Sequence, residues 1–304
     1  MKNILITGGT GFIARNLKEY LDSKFKVFAP THSELELLDE SKVAKFILKN
    51  KIRQVIHCAN IGGGRDTVGM PNVVYSNLRM FFSIVQNLDY LEKFIQIGSG
   101  AEYNMRNYKP KMTEDYFDKH IPSDDYGFAK YVCAKFIQNI DKACELRLFA
   151  VFGKYENVYI KFISNAIVRN LFKLPIVIYQ NVYFDFMYIS DLVRIMEYFL
   201  THTPQHKSYN ITTGKPIDLV TIAEKINKIG KFKSKIVVKN PGLNTEYTGD
   251  NSRLLSEIGN FEFTPFELAL RDLYSWHEKN LENVDKKKIE EDPYGRFARI
   301  KRNG

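Results

Sequence analysis

The chain has 304 residues and a mass of 35.4 kDa, enough for one large or two modest domains. Its 44% hydrophobic and 26% charged residues exclude a disordered or fibrous protein, and no apolar stretch nears the roughly 18 residues of a membrane span. The formal net charge is +9, with seven basic and three acidic side chains in 286–304, which reads as a solvated basic tail, not a nucleic-acid stripe.

Short apolar runs alternate with helical periodicity from the start. Residues 3–7 read as a buried strand, and 11–21 as a helix with Phe12, Ile13, Leu17 and Leu21 at helical spacing. A strand over 26–29 ends at Pro30, a helix over 41–48 follows, and 54–58 is a third strand. A helix over 73–88, a strand over 93–98, a helix over 126–139 and a strand over 145–152 continue the rhythm. Nearly all-apolar strands separated by helices predict an α/β fold with a doubly wound parallel (Rossmann) sheet. Beyond about residue 156 the rhythm loosens, with helices at 160–171, 191–200, 219–228 and 265–279 among short strands near 175–179 and 235–239. The expected organisation is a dinucleotide-binding domain over 1–155, with a returning segment near 182–215. A smaller C-terminal α/β substrate lobe takes 156–181 and 216–280, and 281–304 is a basic tail. Ligands of such sheets lie at the carboxyl ends of the strands, so the substrate is expected in the cleft between lobes.

Cys58, Cys133 and Cys144 are too few and too widely spaced for a disulfide framework or a zinc ribbon, so no metal is expected. The apolar run after Met1 is too short for a secretory signal. A soluble, cytoplasmic protein is the expectation.

Thr7-Gly8-Gly9-Thr10-Gly11-Phe12-Ile13-Ala14 joins the first strand to the first helix. Gly8 suits the tight turn, Gly11 lets a pyrophosphate approach the backbone, and Ala14 lets the helix pack close. The helix N-terminus adds free N–H groups and a partial positive charge. Gly8, Thr10, Gly11, Phe12 and Ile13 are therefore candidate cofactor contacts. An NAD site usually carries an acid at the end of the second strand. Here Pro30-Thr31-His32-Ser33 intervene before Glu34, which predicts NADP, with Thr31, His32 or Arg15 on its 2′-phosphate. If Glu34 reaches back over this corner, NAD is the expectation instead.

Three Tyr-x-x-x-Lys pairs occur: Tyr20/Lys24, Tyr126/Lys130 and Tyr131/Lys135. The spacing puts phenol and ammonium on one helix face. Tyr131 lies about 140° round the helix from Tyr126, so the last two pairs cannot both face one site. Tyr126 follows a turn of capping residues, Ser123-Asp124-Asp125, and is the chosen catalytic tyrosine. Ser99, just past the fourth strand, is its expected partner for the substrate oxygen.

The glycine loop, His57-Cys58-Ala59, Ser99, Tyr126/Lys130 and Tyr209-Asn210-Ile211-Thr212-Thr213-Gly214 together resemble the extended short-chain dehydrogenase/reductases that act on nucleotide sugars. Pro30-Thr31-His32-Ser33-Glu34-Leu35-Glu36-Leu37-Leu38-Asp39 and Ala59-Asn60-Ile61-Gly62-Gly63 look most like the GDP-fucose synthase branch, which uses NADPH. The resemblance implies that Tyr126 exchanges a proton with the sugar oxygen, that Lys130 also holds the nicotinamide ribose, and that Ser99 positions the substrate. It adds Leu38, Asp39, Cys58, Ala59, Asn60, Asn77 and Phe149 to the implied cofactor contacts. It also implies a homodimer with a nucleotide-sugar substrate and neither nucleic acid nor membrane as partner.

The departures sharpen the expectation. Gly100-Ala101 after Ser99 lack the Asp-Glu of sugar 4,6-dehydratases, Ala101 replaces the branch's epimerising Cys, and no His occurs between His120 and His202. Phe184 replaces the usual Arg before Asp185-Phe186, and Ala150 replaces the usual Asn. The expected activity is NADPH-dependent reduction of a nucleotide-linked 4-keto(-6-deoxy) sugar at C4 without epimerisation. The alternatives are an NAD-dependent nucleotide-sugar 4-epimerase and, from another class, a non-enzymatic NADP-binding protein.

Overall fold

Successive strand residues point to opposite faces, so Ile4-Leu5-Ile6 demands an apolar layer on each side of its sheet. The computed structural model describes residues 2–296 and residue 301, and it supplies both layers. Strands β1 (Asn3–Thr7), β2 (Lys26–Phe28), β3 (Gln54–His57), β4 (Lys93–Ser99) and β5 (Ala143–Leu148) lie parallel in one sheet. On one face, Ile4, Ile6, Ile56 and Ile97 join a core with α1 (Phe12–Leu21) and α6 (Ile189–Thr201). On the other, Leu5, Val55 and Phe94 meet α2 (Glu40–Lys49), α3 (Val73–Val85) and α4 (Asp125–Ile137).

The expected strand over 145–152 breaks at Phe149. Its last residues form β6 (Ala150–Phe152), which leaves the sheet and pairs with β9 (Phe186–Tyr188). The vacated edge is taken by β10 (Ser208–Ile211), paired to β5 along Ser208–Ile211 and completing the order β10-β5-β4-β3-β1-β2. Periodicity did not indicate β10 because four residues are too few to show a period. The C-terminal lobe packs α5 (Phe162–Leu171), α7 (Leu219–Ile229) and α9 (Phe266–Lys279) against β7 (Ile176–Asn181), which pairs with β12 (Ile236–Leu243). Two-residue strands β8 (Tyr183–Phe184) and β11 (Ile217–Asp218) pair antiparallel, and α8 (Ser252–Ile258) lies beside β10. No helix among the described residues is long and apolar enough to cross a membrane.

The tail differs from expectation where it is described. It forms α10 (Lys286–Glu290) and α11 (Pro293–Arg296), with Ile289 fully buried and Tyr294 in the core. Asp292 accepts from Arg169 Nη2 at 2.8 Å and from the Tyr179 hydroxyl at 2.6 Å. An apolar residue every few positions docks the segment despite its lysines. Arg299 and Arg302 lie outside the described residues. Ile289→Ala is therefore expected to cost about 2–4 kcal/mol in urea unfolding, whereas a solvated tail would show no change.

Candidate active site

The β1–α1 turn is shaped by crowding. Gly8 has φ +69°, and a Cβ on Gly9 would lie 2.2 Å from the Ala29 carbonyl oxygen, so β2 can approach only a glycine. Gly11 is the N-cap of α1 and has no side-chain cap, which leaves the first N–H groups of the helix free for an anion. The loop forms one wall of a cavity of about 440 Å³. Gly8, Thr10, Gly11, Phe12, Ile13, His32, Leu38, Cys58, Ala59 and Asn60 line it, as do Glu36, Ile61 and Met80. An uncapped helix start beside an apolar slot fits the pyrophosphate and adenine ends of a dinucleotide.

Seven expected cofactor contacts, Tyr126 and Lys130 included, lie outside this lining; those two are described with Ser99 below. Asn77 is buried behind the wall, where it bonds Ile61 N at 2.9 Å and Ile61 O at 2.7 Å, so it shapes the loop after β3. Asp39 is consumed as the N-cap of α2, accepting from Ser41 N and Lys42 N. Arg15 stacks its guanidinium 3.7 Å from the centre of the Tyr155 ring. Phe149 lines the second cavity, described below. At the remaining position, Thr31 N and Oγ1 donate to Glu34 Oε2 at 2.7 and 2.9 Å. His32 Nε2 lies 2.8 Å from Glu36 Oε2. Glu34 thus does reach back over the corner expected to hold a 2′-phosphate.

His57 and Cys58 are not chemical groups of this site. Burial, with Lys130 nearby, pulls the His57 pKa down to about 3, and burial pushes the Cys58 thiol up to about 12. Thr7 Oγ1 accepts from Ala59 N at 3.0 Å and pairs with His57 Nδ1 at 2.8 Å.

Ser99 ends β4, and Asp124 caps α4 through Gly127 N at 2.9 Å, which brings Tyr126 into the same cavity as Ser99. The Gly62–Gly63 backbone lies on the Tyr126 ring, where a Cβ on Gly63 would come within 2.7 Å. Lys130 is buried beneath, its Nζ donating to Ile97 O at 2.6 Å and standing 5.9 Å from the Tyr126 ring centre. The other Tyr/Lys pairs are spent elsewhere. Tyr131 and Lys135 both bond Asp118, and Tyr20 and Lys24 both bond Glu197.

Beneath Ser99 lies a dry charge cluster. Glu102 Oε1 accepts from Ser99 N at 2.7 Å, and its other oxygen accepts from Arg147 Nε at 2.7 Å. Arg147 Nη2 is 3.0 Å from Glu145 Oε2 without hydrogen-bond alignment, and all three side chains are essentially inaccessible. Burial pushes Glu102 and Glu145 up, Glu145 furthest because Glu102 also repels its charge. Glu102 therefore faces the protein interior, not the ligand.

The cavity over Ser99 and Tyr126 has a volume of about 770 Å³ and spans both lobes. Its lining includes Phe149, Phe184, Tyr247 and Tyr294, with Lys161 its only lysine or arginine among the described residues, and no Cys or His. Gly62–Gly63 and Tyr247 were missed by sequence reasoning. The glycine run offered a signal, and Tyr247 offered none. Glu156 also lines this cavity, and burial raises its pKa to about 7 although Ser164 N donates to it at 3.3 Å.

A family model described as the NAD dependent epimerase/dehydratase family matches residues 4–212, over two thirds of the chain. The chain is 24% identical over 284 residues to GDP-L-colitose synthase of Yersinia pseudotuberculosis, covering 84% of this chain and 91% of that protein. It is 24% identical over 333 residues to UDP-glucose 4-epimerase of Pasteurella multocida, covering 91% and 98%. In structure it resembles an NADP-bound GDP-mannoheptose C4 reductase from Campylobacter jejuni, with a TM-score of 0.81 at 20% identity, covering 91% and 98%.

Glu156 supplies a pH test. Its folded pKa of about 7 exceeds the ordinary 4.5, so its contribution is full below 4.5 and lost as pH rises through 7. Relative to Glu156→Gln, wild-type stability is expected to fall by about 1.4 kcal/mol per pH unit across that window, read by urea unfolding. A constant difference from about pH 5 to 8 would contradict the assignment.

Proposed function

The chain belongs to the NAD dependent epimerase/dehydratase family, and we propose that it reduces a GDP-linked 4-keto-6-deoxy sugar at C4 with NADPH, without epimerising it. One observation carries the reading: Ser99 and Tyr126 share a cavity with Lys130 packed behind them, and among the described residues that line it there is no Cys or His. Reduced nicotinamide, when bound, supplies hydride to a carbonyl carbon. Ser99 and Tyr126 then donate hydrogen bonds to the carbonyl oxygen, and Tyr126 transfers its proton there. The products are the alcohol and the oxidised cofactor. Lys130, tethered to Ile97 O, places its ammonium 5.9 Å from the Tyr126 ring centre, where it favours the phenolate as the proton leaves. The choice of a GDP-sugar rests on the colitose synthase and the mannoheptose reductase to which the chain is similar.

Epimerisation at C3 or C5 needs an acid and a base flanking the sugar ring. Ala101 stands where the resembled branch has its Cys, and Glu102 is locked between Ser99 N and Arg147. A second reading, an NAD-dependent 4-epimerase, is favoured by the Glu34 carboxylate over Thr31, since a 2′-phosphate gains Thr31 only by displacing it. The NADPH assignment draws instead on the NADP-bound mannoheptose reductase to which the chain is similar in structure. A homodimer is also part of the proposal. Tyr75 of α3 and Phe128 and Phe136 of α4 are exposed on helices that pack side by side, an apolar face suited to a second copy.

Tyr126→Phe is expected to lower kcat by about 10²–10⁴-fold with NADPH binding kept, while Tyr131→Phe stays near wild type; reversed outcomes would move the site to the other pair. Fluorescence titration should show tighter NADPH than NADH binding, and equal or tighter NADH binding would favour the epimerase. Incubation of the 4-keto sugar in D₂O without cofactor should place no enzyme-dependent deuterium at C3 or C5. Deuterium there would falsify the pure reductase.

A further inference from the structure

The last part of the chain is fastened to the C-terminal lobe by a buried cation. Arg169 of α5 is 5% exposed, and its Nη2 donates to Ile289 O at 3.0 Å and to Asp292 Oδ1 at 2.8 Å. Asp292 Oδ2 accepts from the Tyr179 hydroxyl of β7 at 2.6 Å. The chain is tied again further on, where Lys301 N donates to Gln180 Oε1 at 2.8 Å and Gln180 Nε2 donates to Lys301 O at 3.1 Å. Gly295 sits so close to Tyr179 that a Cβ there would come within 1.9 Å of its hydroxyl oxygen. Between these ties Tyr294 turns inward and is 4% exposed. Its ring centre stands 6.1 Å from that of Phe162 and 6.2 Å from that of Tyr179. Tyr294 also lines the cavity that holds Ser99 and Tyr126.

We propose that the docked C-terminal segment is part of the substrate site, with Tyr294 as the wall that meets the nucleoside of the nucleotide sugar and favours a purine there. Ser99 and Tyr126 belong to β4 and α4, on the sheet side of the cavity, whereas Tyr294 packs on α5 and β7 in the other lobe. A sugar carbonyl held at the first end leaves the diphosphate and the nucleoside to extend toward the second. Lys161 lines the cavity and directly precedes Phe162, the ring on which Tyr294 packs. That cation attracts the diphosphate, which carries the nucleoside to the tyrosine. A purine reaches the wall, and a pyrimidine is one ring shorter. A carboxylate tied to a buried guanidinium holds the wall in place, which a solvated tail could not do. This inference rests on the GDP-sugar reading of the site.

The test is titration calorimetry of the full chain with GDP, UDP and NADPH. Tyr294→Ala removes the wall and is expected to weaken GDP binding about 5- to 20-fold and UDP binding less than about twofold, with NADPH affinity unchanged. Tyr294→Phe keeps the ring and should bind GDP as the wild type does. Gly295→Val leaves Tyr294 in the chain but drives the segment off Tyr179, and the same selective loss of GDP is expected. A merely structural role would weaken both nucleotides alike. Equal losses for GDP and UDP, wild-type GDP affinity in Tyr294→Ala, or a wild-type chain that prefers UDP overturn the inference. A wild-type chain that binds neither nucleotide overturns the nucleotide-sugar reading beneath it, a distinguishable failure.

Discussion

The site depends on one constraint: Ser99 is held from below by a buried, charged side chain. Glu102 spans Ser99 N and Arg147 Nε, and Arg147 is the largest fully buried side chain of the chain among the described residues. Burial works against the Arg147 cation, but Glu145, Tyr103 and Glu102 hold its pKa above the usual value. A dry guanidinium is tolerable only while its carboxylates stay in place. The network continues from Arg147 Nη1 to the Tyr103 hydroxyl, then to Asn210 Oδ1 on β10, and from Asn210 N to Glu114. The returning strand and the turn after Ser99 are thereby parts of one polar core. Removing Arg147 would leave Glu102 and Glu145 buried without their cation.

Above that cluster the packing is aromatic. Tyr247 and Phe149 crowd Gly100, Phe149 crowds Gly249, and Tyr103 and Tyr108 pack against the Phe149 ring, so a side chain on Gly100 has no room. The missing dehydratase acid after Ser99 is therefore more than an absent residue, because Tyr247 and Phe149 fill the space that an aspartate would need. Ala101, Phe184 and Gly100 belong to one local solution, in which rings replace the polar groups of the resembled branch. Besides hydroxyls and ring faces, the cavity lining carries Lys161 and the acids Asp124, Asp125 and Glu156.

The cofactor side is arranged differently. There the backbone provides the specificity: Gly9 admits the Ala29 carbonyl, the α1 N-terminus is uncapped, and Asn77 fixes the loop at Ile61. Side-chain chemistry enters at the end of β2, where Glu34 and Glu36 hold Thr31 and His32. Two carboxylates already satisfy the donors at the corner where an additional phosphate would bind.

The sequence by itself determined the parallel sheet and its two covering layers. Strand and helix periods are local, and Gly8, Gly11 and Ala14 answer to steric demands within one turn. It also determined that Tyr126 and Tyr131 cannot both face one site, since 100° per residue separates their helix faces. Tertiary structure alone decided the rest. Strand pairing made Ser208–Ile211 the sixth strand, and docking of Ile289 turned a basic tail into packed helices. Folding spent Asn77, Asp39 and Arg15 on loop, cap and ring instead of the cofactor cavity, and brought Glu34 back onto Thr31. It placed Tyr247 over Gly100 and sealed Glu102 against Arg147. Spacing along a chain reports which residues share a face of one element. Contacts between residues far apart in sequence are set by how the elements pack, which no local period records.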